Sequence, residues 1–184
     1  MERPTLPIES AVDLMRYDQL DTVNGDLVRL VVETPRGSTA KIAYDPASGV
    51  FEYSRALPLG LSYPYDWGFI PSTLGEDGDP LDGLVIHGAT TAPGVVIKCD
   101  LLGCLAVRQQ NSDGMILRND RFILWPHPAD APTETNVCKR LRGEIEEFFE
   151  AAVAGTGKQL IFEGWLERAD AWARLQEGQS RVKR

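Results

Sequence analysis

Polar and apolar residues alternate through much of the first half of the chain. From Asp26 to Thr34, Val28, Leu30 and Val32 fall on one side, and Arg29, Val31 and Glu33 on the other. That period of two predicts a strand. Pro35–Ser38 reads as a turn, and Thr39–Tyr44 alternates again with Lys41 and Ile42 on opposite faces. Asp45–Gly49 then closes a hairpin-like connection into Val50–Arg55. Leu84–His87, Val95–Val107, Arg121–Trp125 and Gln159–Leu166 read as further strands, with Gly103 placed to bend or bulge the long one. The period then changes. Thr135–Ala154 carries Val137, Leu141, Ile145, Phe148, Phe149 and Ala152 at helical spacing and meets a stop at Gly155. Glu167–Glu177 reads as a second helix, with Gly178 just beyond it. Many short strands followed by helices predict a mainly β fold, a small barrel with peripheral helices.

Two segments escape the pattern. Residues 1–25 have weak periodicity and read as an N-terminal arm with one helical turn, while 167–184 form the C-terminal helix and tail of the same single domain, 1–184. Pro58–Leu84 is rich in proline, glycine, aromatics and acids, and reads as a long ordered loop, a kind of segment that more often carries function than fills space.

Composition narrows the function classes. The chain has 184 residues, 19 Lys+Arg and 27 Asp+Glu, for a net charge of −8. One domain of that length buries enough surface to fold without staples. The acid excess argues against nucleic acid as a partner, because phosphate backbones are gripped mainly by Lys and Arg. No apolar run is long enough to span a bilayer and no secretory signal is visible. The three cysteines, at 99, 104 and 138, have no C-x-x-C spacing and read as reduced thiols of a cytoplasmic protein. A zinc site on His87 and His127 is disfavoured by their separation.

The charge is uneven. Ala56–Ile97 holds no Lys or Arg, yet contains Asp66, Glu76, Asp77, Asp79 and Asp82. Within it, Glu76-Asp77-Gly78-Asp79-Pro80-Leu81-Asp82 sets three aspartates around a glycine that widens the backbone's options and a proline that narrows them. Such a turn aims several carboxylates at one point. Hard oxygen donors suit Mg²⁺ or Mn²⁺, and Mg²⁺ often shares its shell with phosphates. An EF-hand loop from Asp77 fails on Leu81, Asp82 and Gly88. The plain alternative is a solvated acidic turn. Glu33, Lys41 and Arg55, on or at the ends of neighbouring strands, would complete a metal–phosphate site. Gly155-Thr156-Gly157-Lys158 is not a phosphate-binding P-loop, since Ala152 stands where the first glycine belongs.

Tyr63-Pro64, Trp67-Gly68-Phe69-Ile70-Pro71-Ser72-Thr73-Leu74 and the Asp-Gly-Asp-Pro-Leu-Asp run together resemble the signature of the soluble family I inorganic pyrophosphatases. The resemblance extends from about Leu27 to Trp165. It implies a five-stranded OB-like barrel flanked by helices, Mg²⁺-dependent hydrolysis of pyrophosphate to two phosphates, and a homohexamer. By resemblance, Asp77 and Asp82 would ligate the tighter metal, and Glu33 would be an outer metal-site carboxylate. Asp79 matches the carboxylate that helps deprotonate the attacking water. Lys41 and Arg55 match phosphate-binding cations, and Tyr63 a phenol that contacts phosphate or walls the site. Ala43, Trp67, Asn119 and the pair Ala152-Val153 depart from the pattern. Arg121 stands where the family has a phosphate-binding Lys, and Asp120 or Asp113 is available to substitute for the aspartate missing at Asn119. Two alternatives stay open: a hydrolase of another diphosphate, or a non-catalytic relative that binds phosphates or a partner.

Overall fold

The computed structural model describes residues 16–128 and 137–182. After a single 3-10 turn at Tyr17–Gln19, the strands are β1 (Val23–Asn24), β2 (Leu27–Thr34), β3 (Ala40–Asp45), β4 (Val50–Ala56), β5 (Asp66–Ile70), β6 (Leu81–Val85), β7 (Val96–Gln110), β8 (Ile116–Arg118) and β9 (Arg121–Pro126). Helix α1 (Lys139–Val153), strand β10 (Gln159–Glu167) and helix α2 (Arg168–Val182) follow.

Five strands close a ring: β2 pairs with β5, β5 with β6, β6 with β9, β9 with β7, and β7 returns to β2. Only β6–β9 is parallel within that ring. This is the expected five-stranded barrel. The long β7 makes closure possible. Its first residues pair with β2, its middle with β9, and Gly103 to Gln110 with β10. The register slips between Leu101 and Gly103, so Gly103 does bulge the strand as its position predicts. A Cβ there would stand 2.6 Å from the Leu166 carbonyl oxygen.

Inside the barrel, Leu30, Val32, Ile70, Leu101, Phe122 and Leu124 pack with Leu175 of α2. On the other side Trp67, Leu84, Leu105 and Ile123 meet Ile145, Phe148 and Phe149 of α1. The apolar stripe of α1 is therefore spent on one sheet face. Thr135 and Asn136, in the expected start of α1, lie outside the described residues, as does most of the N-terminal arm.

Two expectations are corrected. Pro58–Leu84 is not loop throughout, because it contains β5 and the start of β6. All five residues of β5 are buried, so both faces are covered and the alternation that marks a half-exposed strand is missing. Gly68 is what permits the crowding, since a Cβ there would lie 1.9 Å from the Val31 carbonyl oxygen. Second, α2 runs past Glu177 to Val182. Gly178 does not end it but lets it press on β6, where a Cβ would come within 2.5 Å of Leu81 Cδ1.

The β3–β4 hairpin stands apart from the ring. Thr34 fastens it to β2: its hydroxyl donates to the Ile42 carbonyl oxygen at 2.9 Å and accepts from the Ile42 N–H at 2.9 Å.

Candidate active site

The acidic turn is built from its own backbone. Thr73 donates to the Ile70 carbonyl oxygen at 2.6 Å and accepts from the Leu81 N–H at 2.9 Å, holding the two ends of the loop together. Gly75 N–H donates to the Asp79 carbonyl oxygen at 2.7 Å. Gly78 takes φ +89°, the left-handed region open to glycine. A side chain at Gly75 would meet Asp77 Oδ1 at 2.7 Å. Asp77 and Asp79 are thus held in the turn, and Asp82 follows as the second residue of β6.

These carboxylates feel one another. Burial pushes the Asp77 carboxyl above its ordinary range, and the charges of Asp82 and Asp79 add to the effect. Burial raises Asp82 too, with Arg121 and Lys41 opposing. Glu33, on β2, is pushed up to about 7, chiefly by burial and further by Asp82 and Asp79. The Tyr44 N–H, donating to Glu33 Oε1 at 2.8 Å, and the Lys41 charge pull the other way. Glu33, Lys41, Asp79 and Asp82 line one cavity of about 210 Å³, together with Asp18.

Lys41 also lines a second cavity, of about 260 Å³, whose other cations are Arg55, Arg121 and Lys158. Lys41 and Arg55 are cross-strand partners in the hairpin, which directs both toward one side. Arg55 Nη2 donates to the Ala152 carbonyl oxygen at 2.6 Å, tying the hairpin to the end of α1. Tyr63, buried and packed edge-on to Phe148, forms part of the wall. Burial raises its phenol pKa, so it stays a proton donor. Arg121 is buried between the rings of Trp67 and Phe149, its guanidinium carbon 5.2 and 5.7 Å from their centroids. Its Nη1 donates to Asp82 Oδ2 and to Asn119 Oδ1. Parallel pairing of Asp82 with Arg121 across β6–β9 makes them neighbours. Arg121 Nε and Trp67 Nε1, both on residues of the cavity wall, have no acceptor among the described residues.

The predicted residues do not all converge. Lys41, Arg55, Tyr63, Arg121, Asp79, Asp82, Glu33 and, through the turn, Asp77 belong to this region. Asp120 does not. It lies in the two-residue link between β8 and β9, one residue before the strand that carries Arg121. Its Oδ1 accepts from the buried Val107 N–H at 3.1 Å, and its Oδ2 lies 3.6 Å from Arg174 and 3.8 Å from Arg118. Asp113, the other substitute, is exposed and accepts from the Met115 N–H within its own turn. Asn119 serves to hold Arg121. Two of the five acids in the cation-free stretch are likewise structural. Asp66 is fully buried and accepts from Arg36 N–H, Thr91 Oγ1 and His87 Nε2. Glu76 faces Arg118 and Arg181. Sequence reasoning missed Lys158 and Asp18. The only sequence signal for Lys158 was its place in a two-glycine turn at the end of a helix.

The donor set fits a hard divalent cation by its chemistry: clustered carboxylates whose pKa values are raised by burial and by each other gain when a cation enters. Among the described residues, no three carboxylate, His or Cys side chains already stand around one point.

Residues 30–183 match the family model described as inorganic pyrophosphatase. The inorganic pyrophosphatase of Thermus thermophilus is 38% identical over 154 residues, covering 79% of this chain and 85% of that one. That of Sulfolobus acidocaldarius is 34% identical over 159 residues, covering 85% and 92%. Among solved structures, an inorganic pyrophosphatase from Thermus thermophilus superposes with a TM-score of 0.82 at 33% identity, covering 92% of this chain and 99% of that one. One from Helicobacter pylori gives 0.79 at 26% identity, covering 90% and 99%. A fold that superposes on these enzymes over nine-tenths of the chain, with a sequence that matches the family model from residue 30 to residue 183, means that the chain belongs to the family I inorganic pyrophosphatases.

Proposed function

We propose that this protein hydrolyses inorganic pyrophosphate to two phosphates, with a divalent cation, Mg²⁺ or Mn²⁺, as its cofactor. One observation carries the reading: Lys41 lines both cavities, so a cradle of carboxylates abuts a cradle of cations. A diphosphate bound with metal needs both. Asp77, Asp79, Asp82 and Glu33 would hold the metal. When bound, such a cation neutralises phosphate charge and lowers the pKa of water. Lys41, Arg55 and Arg121 bind and orient the phosphoryl oxygens, and Tyr63 donates a hydrogen bond from the wall. Phosphoryl transfer depends more on such positioning and charge stabilisation than on covalent help. Asp79, which has no ion-pair partner among the described residues, takes the proton of the attacking water. Phosphate release from pyrophosphate, measured with Mg²⁺ or Mn²⁺, tests the proposal. Asp79→Asn is expected to lower kcat by roughly 10²- to 10⁴-fold. Turnover of the unaltered protein no greater than that of the variant would refute it.

Among the described residues no helix is long and apolar enough to cross a membrane. Cys99, Cys104 and Cys138 are unpaired, which supports a reducing compartment, the cytoplasm. A homohexamer is the assembly the family resemblance implies, and analytical ultracentrifugation reads it directly.

A further inference from the structure

Glu76 and Asp77 are neighbours in the acid turn, set between Gly75 and Gly78. Asp77 belongs to the candidate metal site. Glu76 reaches out of it, to β8 and α2. Its Oε2 accepts from the Arg118 N–H at 2.9 Å. Its Oε1 lies 3.6 Å from Arg181 Nη2 of α2 and 3.7 Å from Arg118 Nε. The Leu74 N–H donates to the Gly178 carbonyl oxygen at 3.1 Å, and Arg181 Nη1 donates to the Leu74 carbonyl oxygen at 3.5 Å. Helix α2 therefore holds the chain just before the turn, and Glu76 ties the turn itself.

We propose that Glu76 is a positioning residue for the metal site: by bonding the Arg118 backbone it sets Asp77 in place relative to Asp82. The inference rests on the reading of these carboxylates as metal ligands, and it adds a residue that touches neither metal nor substrate.

The bond closes a circuit. Arg118 precedes Asn119, whose N–H donates to the Val107 carbonyl oxygen of β7 at 2.8 Å. Asn119 Oδ1 accepts from Arg121 Nη1, which also donates to Asp82 Oδ2. Asp77 and Asp82 are thus joined twice. One path runs along the chain through Gly78, which constrains the backbone little. The other crosses through Glu76, Arg118, Asn119 and Arg121, and is anchored on the barrel. Because Glu76 bonds a main-chain N–H, it fixes the chain before Asn119 and not a mobile side chain. That N–H is the main reason the Glu76 carboxyl titrates below its ordinary range, with the Arg118 and Arg181 charges adding to it against partial burial.

Exposure separates this role from general stabilisation. The Glu76 side chain is 38% exposed, and ion pairs in such places contribute little to folding. Metal sites are less forgiving, since loss of a group that orients a ligand typically costs about 10- to 100-fold in affinity or activity.

The test uses the full chain with Glu76→Ala, Glu76→Gln and, as a control, Glu144→Ala, an exposed partner of Arg140 on α1. Mn²⁺ affinity is read by calorimetry without substrate, beside the melting temperature of metal-free protein and pyrophosphate turnover across Mg²⁺ concentrations. Glu76→Ala is expected to weaken Mn²⁺ binding about tenfold and to raise the Mg²⁺ requirement by a similar factor. Its melting temperature should stay within about 4 °C of the unaltered protein. Glu76→Gln keeps an oxygen for the Arg118 N–H, so Mn²⁺ affinity should stay near the unaltered value. Glu144→Ala changes neither. Unchanged Mn²⁺ affinity in Glu76→Ala overturns the proposal. A loss that Glu76→Gln reproduces in full also overturns it, by assigning the effect to charge, and a loss that comes with a larger fall in melting temperature assigns it to general loosening. If the unaltered chain binds Mn²⁺ yet fails to cleave pyrophosphate, the functional reading falls and the Mn²⁺ titration still decides the role of Glu76. If the unaltered chain binds no Mn²⁺, the proposal falls with the metal site.

Discussion

Replacing Glu33 by Gln removes one titrating group while keeping an oxygen that accepts the Tyr44 N–H. Glu33 titrates at about 7 in the folded protein, against 4.5 for an ordinary glutamate. Between those values the folded state holds a proton that the unfolded state has released. Stability therefore falls as pH rises through the window, the reverse of the usual carboxylate. At about 1.4 kcal/mol per pH unit, the full effect is roughly 3 kcal/mol, most of which falls between about pH 5 and pH 8. Asp77 and Asp82 are also raised and push in the same direction in both proteins, so the difference reports Glu33 together with its mutual repulsion with Asp82 and Asp79. The assay is urea unfolding of metal-free protein, in chelator, across that pH range. The unaltered protein should lose stability relative to Glu33→Gln by the stated amount. Saturating Mg²⁺ should recover more stability at the alkaline end in the unaltered protein than in the variant. Parallel pH profiles for the two proteins would refute the picture of a buried carboxyl repelled by Asp82 and Asp79.

Arg121→Ala leaves Asp82 without its partner and opens the stack between Trp67 and Phe149. Urea unfolding of the metal-free variant should show a loss of about 3–5 kcal/mol, and added divalent cation should recover part of it. Asp120→Asn weakens a buried network instead, and roughly 1–3 kcal/mol of stability should be lost. Its divalent-cation affinity, read by calorimetry, should stay at the level of the unaltered protein, since Asp120 faces Arg174 and Arg118.

The acid turn is legible in the amino-acid sequence because its information is local. Gly78, Pro80 and three aspartates lie within a few residues, and short-range backbone preferences are enough to make the turn, though they do not by themselves set three carboxylates around one point. The same holds for α1, whose stripe reports the face it buries, and for the start of β2, although from Leu30 to Thr34 that strand is buried on both faces. The assignment of Lys41, Arg55 and Tyr63 rests on similarity to a known signature, and the cavity beside Lys41 agrees with it.

Other features have no local trace. β5 is buried on both sides, so no periodicity marks it, and only its neighbours β2 and β6 make it a strand. Asp120 and Arg121 are adjacent in sequence and equally attractive as site residues, yet Arg121, the first residue of β9, lines the cavity, while Asp120, in the link before it, joins the Arg174 network. Asp82 meets Arg121 only because β6 and β9 run parallel in register. Lys158 reads in sequence as part of a failed phosphate loop, and it enters the cavity because the end of α1 packs beside the hairpin that carries Arg55. Local sequence thus specified turns, periods and the chemistry of the acid cluster. Which charges share a cavity was decided by pairing between distant strands, because side-chain direction in a sheet depends on register, and register depends on partners far away in the chain.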